Sequence, residues 1–229
     1  GHNHTEGDGH NHEQSVMHTR KAPTEAELDT LLKSNTVKAE HAAKFGRLII
    51  QDAGGRMKPI NTFSSELLRK VSHENTFKGM NSDQVFLSMT QFANIWLEVP
   101  LIYITPKNDS IRKIIGIDTK AKFAPFISFF DEKGNYKLSP YLDAAYKAAN
   151  PNQFEKDFIE TDKKVNLMES ALSGRILKIF PIPNHENSKW VSYLELNEAG
   201  LKGMDSTYTK SISPLYFGTL NNAIKTQSY

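Results

Sequence analysis

The amino-acid pattern predicts an α+β protein, a predominantly helical domain with a few short strands and no transmembrane segment. Three observations carry this. Apolar residues recur at helical spacing over 60–71, 82–97 and 151–173. The strand-like runs, Arg47–Gln51, Leu101–Ile104 and Arg175–Phe180, are short and do not alternate regularly with helices, which argues against a doubly wound sheet. The densest apolar run, Ala124–Phe130, contains a proline and a serine, and falls far below the roughly 18 residues that a membrane-spanning helix needs.

The elements follow in order. Thr24 with Glu27 three residues on is a capping box for a short helix over 25–33. A helical stretch over 37–45 runs into the strand Arg47–Gln51, and Asp52-Ala-Gly-Gly55 is turn chemistry. Ile60, Phe63, Leu67, Leu68 and Val71 share one helix face behind Pro59. Asn81 and Gln84 cap the next helix, whose buried face is Val85, Met89, Phe92, Ala93 and Trp96, with Pro100 as its limit. Asp109–Ile115 reads as a short helix, and Asp131–Asn135 as a turn closing a small hairpin. Ser139-Pro140 opens a helix to about 149. Asn150, Pro151 and Gln153 are expected to start the longest helix, with Phe154, Phe158, Val165, Met168 and Leu172 as its seam and Gly174 as its stop. Trp190–Leu196 is ambiguous. Ser213-Pro214 opens a last helix with Phe217, Leu220 and Ile224 on one face.

Composition narrows the function classes. The chain has 229 residues, enough to bury a core without staples. Its 28 basic and 26 acidic residues give a net charge of +2, so no nucleic-acid partner is expected. The absence of cysteine excludes disulfides, thiol catalysis, CxxCH haem attachment and cysteine-ligated zinc. The chain begins with Gly and its last helical face runs to the end, so it is expected to be a piece of a longer protein, truncated at the C-terminus.

Residues 1–22 hold five of the eight histidines and almost no large apolar side chain, so a disordered tail is expected, with the helix-rich domain over 23–229. His2, His4, His10, His12 and His18 are the candidate metal ligands, and imidazole in this setting suits zinc or copper. The other reading is a solvated tail without an ion. The turn Asp52-Ala-Gly-Gly-Arg-Met-Lys-Pro59 is the second candidate. Paired glycines permit a tight turn, and Arg56 and Lys58 can grip an anion. The sequence lacks the Gly-Lys-Ser/Thr ending of a phosphate loop, so a structural turn stands beside the anion site. His41, His73 and His185 read as ordinary surface or satisfied histidines. No hydrolase, zinc-protease or kinase motif is present, and no catalytic residue is assigned.

Residues 41–71, HAAKFGRLIIQDAGGRMKPINTFSSELLRKV, resemble the cytochrome c biogenesis proteins of the ResB/CcsA type (System II), in the large fused form of Bacteroidetes. The likeness is dense over 41–105 and weaker downstream. It implies an extracytoplasmic accessory or docking segment of a membrane-bound protein that delivers haem and attaches it to apocytochrome c. The parent would be a holocytochrome c synthase component on the periplasmic side of the inner membrane. Its partners would be the membrane-embedded remainder of the parent and apocytochrome c. The family's haem-handling parts, transmembrane histidines and a tryptophan-rich segment, are not in this chain, whose tryptophans are the isolated Trp96 and Trp190. Haem is therefore expected to be handled by the parent, with no cofactor on this segment and no enzyme activity of its own. Asp52, Arg56, Lys58 and Arg69 are the matched residues taken as a docking or anion-binding surface. The competing reading is a stand-alone periplasmic metal- or ligand-binding domain that uses the histidine-rich tail.

Overall fold

The computed structural model describes residues 21–229. Helix predominates, and the strands are short antiparallel pairs. The capping box at Thr24 and Glu27 starts α1 (Glu25–Ser34). Next come α2 (Ala39–Gly46), the pair β1 (Ile49–Gln51) and β2 (Met57–Pro59), and α3 (Ile60–Ser72). The hairpin β3 (Thr76–Phe77) and β4 (Met80–Asn81) leads into α4 (Ser82–Gln91), capped by Asn81 and Gln84. Beyond α5 (Ala93–Trp96), β5 (Pro100–Tyr103) pairs with β6 (Phe123–Pro125) across α6 (Asp109–Ile115). A 3-10 turn, Phe126–Phe129, precedes α7 (Ser139–Lys147) and α8 (Gln153–Leu172). The pair β7 (Phe180–Pro181) and β8 (Trp190–Val191), a 3-10 turn at Tyr193–Ala199 and α9 (Gly203–Thr226) complete the chain.

The core lies where α2, α3, α4 and α8 meet. Leu67, Leu68, Val71, Phe86, Met89, Phe158 and Met168 are buried there. Trp96 is fully buried and donates its indole N–H to Ser88 Oγ at 2.8 Å, which satisfies its one polar atom. The carboxylate of Asp83 is buried between α3 and α4, where it accepts from Ser64 Oγ at 2.5 Å and Asn61 Nδ2 at 2.9 Å. Asp162 on α8 accepts from Tyr136 Oη at 2.9 Å, Tyr146 Oη at 2.7 Å and Asn166 Nδ2 at 3.1 Å. This joins α8 to α7 and to the hairpin turn before it. Phe180, Val191 and Leu196 form a small second cluster.

Several expected boundaries move. The 82–97 window is two helices, because the chain leaves helical geometry at Phe92, which is only half-buried. The α8 cap is Asn152 with Glu155, two residues beyond the expected Asn150–Gln153 pair. Both asparagines can cap, but only Asn152 has an acid three residues on, and a carboxylate there also favours the positive end of the helix dipole. Phe154 is 44% exposed, so it does not belong to the seam. Arg175–Phe180 is not a strand. Its contact with β1 is one backbone bond, Gln51 N–H to Lys178 carbonyl at 3.0 Å, and pairing begins only at Phe180. The last helix starts at Gly203, with Pro214 inside it, and is longer than α8. Proline there forfeits one backbone bond without ending the helix. The strands β2 and β6 were not expected from sequence.

Candidate functional site

The turn between β1 and β2 is built by one carboxylate. Asp52 Oδ1 accepts from the backbone N–H groups of Gly54 and Arg56, both at 2.9 Å. The Asp52 N–H donates to the Arg56 carbonyl at 2.8 Å, and Gly55 supplies the positive φ, 80°, that closes the loop. The second carboxylate oxygen faces Lys58 Nζ at 3.2 Å, and the same ammonium reaches Glu66 Oε2 at 3.2 Å. Lys58 thus bridges the turn to α3. The backbone donor from Arg56 leads the effects that hold the Asp52 carboxyl below its usual range. The bond to Glu66, then that to Asp52, raises Lys58.

Of the residues taken as a docking surface, the structure brings Asp52 and Lys58 together. Arg56 enters the turn only through its backbone. Its side chain is exposed and has no ion-pair partner among the described residues. Arg69 is exposed on the last turn of α3 and does not line the groove beside the turn. That groove holds about 470 Å³, and Lys58, Lys70, Arg175 and Lys178 line it with Asp52, Glu66 and Glu195. Four cations against three anions make it nearly balanced.

Sequence reasoning missed what holds the turn from behind. Gln51 is buried; its Nε2 donates to the carbonyls of Gly55 (3.2 Å) and Ser188 (3.3 Å), and its Oε1 accepts from Trp190 N–H at 2.7 Å. Beyond the 41–71 likeness, the signal was a polar side chain in an otherwise apolar strand, since two of its three partners, Ser188 and Trp190, lie more than 130 residues away. His41 also has a role: its Nε2 lies 3.1 Å from Tyr216 Oη, which fastens α9 to α2. Burial is the leading cause that lowers its pKa, with Lys44 second. His73 ends α3 in left-handed geometry and stacks on Tyr103 at 4.2 Å. His185 is exposed.

His2, His4, His10, His12 and His18 lie outside the described residues, as does nearly all of the tail expected to be disordered. Among the described residues no group of three or more His, Cys, Asp or Glu could hold a metal ion. Among them, too, no helix is long and apolar enough to cross a membrane.

No family model matches the chain. It is 33% identical over 171 residues to Protein NrfI of Wolinella succinogenes. The alignment covers 73% of this chain and 19% of NrfI, so the chain spans about a fifth of the length of the relative it matches.

Proposed function

We propose that this chain is an extracytoplasmic docking segment of a larger protein that serves cytochrome c maturation. The similarity to NrfI supports the role in cytochrome c maturation. The 41–71 block supports the finer placement in a machine of the ResB/CcsA type, on the periplasmic side of the inner membrane. In this reading haem is handled by the membrane-embedded remainder of the parent, and apocytochrome c is the second partner.

One observation carries the docking role: within a turn immobilised by Asp52, Lys58 and Gln51, the Arg56 guanidinium is left exposed and unpaired among the described residues. A rigid base lowers the ordering cost of a contact, and guanidinium suits carboxylates, including haem propionates or acids on a partner. Lys58 is the positioning residue, because its charge is already shared by two carboxylates. Arg69 supplies a second exposed cation farther along α3.

The test is the Arg56→Gln variant in the full-length parent, read as covalently haem-loaded cytochrome c. Loss of haem loading with a normally abundant parent is expected. Normal loading with both Arg56→Gln and Arg69→Gln in place would end the docking reading.

A further inference from the structure

A cavity of about 360 Å³ lies under α9 and shares no lining residue with the groove beside Asp52. Phe45, Leu177 and Phe180 are its buried side chains. Leu48, Leu194 and Ile212 line it too, and they are 46%, 55% and 51% exposed. They form its open rim. The polar side chains of its lining are hydroxyls, those of Thr90, Ser173, Ser213, Tyr193 and Tyr216, and none of the described lining residues is charged. Its volume and its mixture of apolar walls with a few hydroxyls are those of a small-molecule site.

The apolar surface does not stop at the rim. Met204, Tyr208, Ile212 and Leu215 follow one another at four, four and three residues along α9, which places them on one helix face. They are 63%, 62%, 51% and 68% exposed. Ile212 belongs both to this track and to the cavity. From Ile212 back to Met204 the track runs about 12 Å, at roughly 1.5 Å per residue.

We propose that the cavity and this track together bind the aliphatic chain of a single-chain amphiphile, with its methyl end in the cavity and its head in solvent. The uncharged lining rejects an ionic group. The elongated continuation favours a chain over a compact molecule. An extended peptide is disfavoured, because its backbone N–H and carbonyl groups need partners that a few hydroxyls cannot supply. This site is independent of the Arg56 docking surface.

The experiment uses the neutral fluorophore N-phenyl-1-naphthylamine with the whole chain. Its emission is expected to rise on binding, and dodecanoate below its micelle concentration is expected to displace it. Ser213→Trp, which fills the cavity from its half-exposed wall, is expected to weaken the probe by about tenfold or more. Circular dichroism and a melting curve check its fold. Leu194→Asp, on the exposed rim, gives the same reading if that variant misfolds. Met204→Ser with Tyr208→Ser should weaken dodecanoate and spare the probe. An equal probe signal from wild type, Ser213→Trp and Leu194→Asp would overturn the proposal. So would binding to phosphatidylcholine vesicles that dodecanoate does not compete, since that would make the face a bilayer contact.

Discussion

Gly46 stands against the carboxylate of Asp83: a Cβ added to the glycine would lie 2.6 Å from Asp83 Oδ2. That carboxylate is buried and already committed to Ser64 and Asn61. It has little freedom to retreat. Gly46→Ala should therefore destabilise the protein by about 1–3 kcal/mol, as overpacking does. Urea unfolding of Gly46→Ala against wild type checks this, and a change below 0.5 kcal/mol would mean that Asp83 can move aside.

Trp96 should be the most costly single truncation in the helical core. Trp96→Ala removes a fully buried indole and strands Ser88, and should cost about 3–5 kcal/mol in the same unfolding experiment. Trp96→Phe keeps much of the volume and should cost clearly less.

The Asp162 cluster makes a graded prediction. Tyr136 is half-buried, and burial is the leading cause that raises its pKa; the Tyr146 hydroxyl is pushed up to about 12, again with burial as the first cause. Tyr136→Phe removes one donor from a buried carboxylate and should cost about 1–3 kcal/mol. Asp162→Ala frees two tyrosine hydroxyls at once and should cost more. Equal stabilities for the two variants would show that the hydroxyls find other partners.

Stability should fall in two separate acid windows. Below pH 6.5, His41 takes up a proton more readily in the unfolded chain, because its folded pKa is lowered, so stability present above 6.5 is lost as pH drops. His73, which burial lowers in the same way, titrates in the same window, so His41→Gln should shrink it without removing it. Below pH 3.8, the depressed pKa of Asp52 has the same sign: the contribution is present above 3.8 and is lost as pH falls through the lower folded value. Asp131, held low by its bond from Asn135, shares this second window, so Asp52→Asn should shrink this window alone and leave the first unchanged. Denaturant midpoints across pH 3–8 separate the two.

The helices were legible wherever a local signal was complete. The boxes at Thr24–Glu27 and Asn81–Gln84 are four-residue statements, and the Ile60–Val71 face repeats often enough to fix its period. The two-residue strands were not legible, since β7 with β8 and β3 with β4 are too short to show alternation. The α9 start was missed for a different reason. Pro214 mimics a helix beginning, and the residues before it put their apolar side chains into solvent, where a core-seeking pattern is not looked for. In the candidate site, the turn could be read from Asp52, Gly54 and Gly55, because its hydrogen bonds are local. The Lys58–Glu66 pair and the Gln51 contacts could not, because tertiary packing alone sets them.

The Gln51 contacts also impose an order in time. Its partners Ser188 and Trp190 leave the ribosome 137 and 139 residues after it. Until then the strand that carries the turn has only the Gly55 carbonyl for its Gln51 side chain, while the Ser188 acceptor and the Trp190 donor do not yet exist. Closing so long a loop is entropically slow, so the turn's final rigidity is a late folding event even though its sequence comes early.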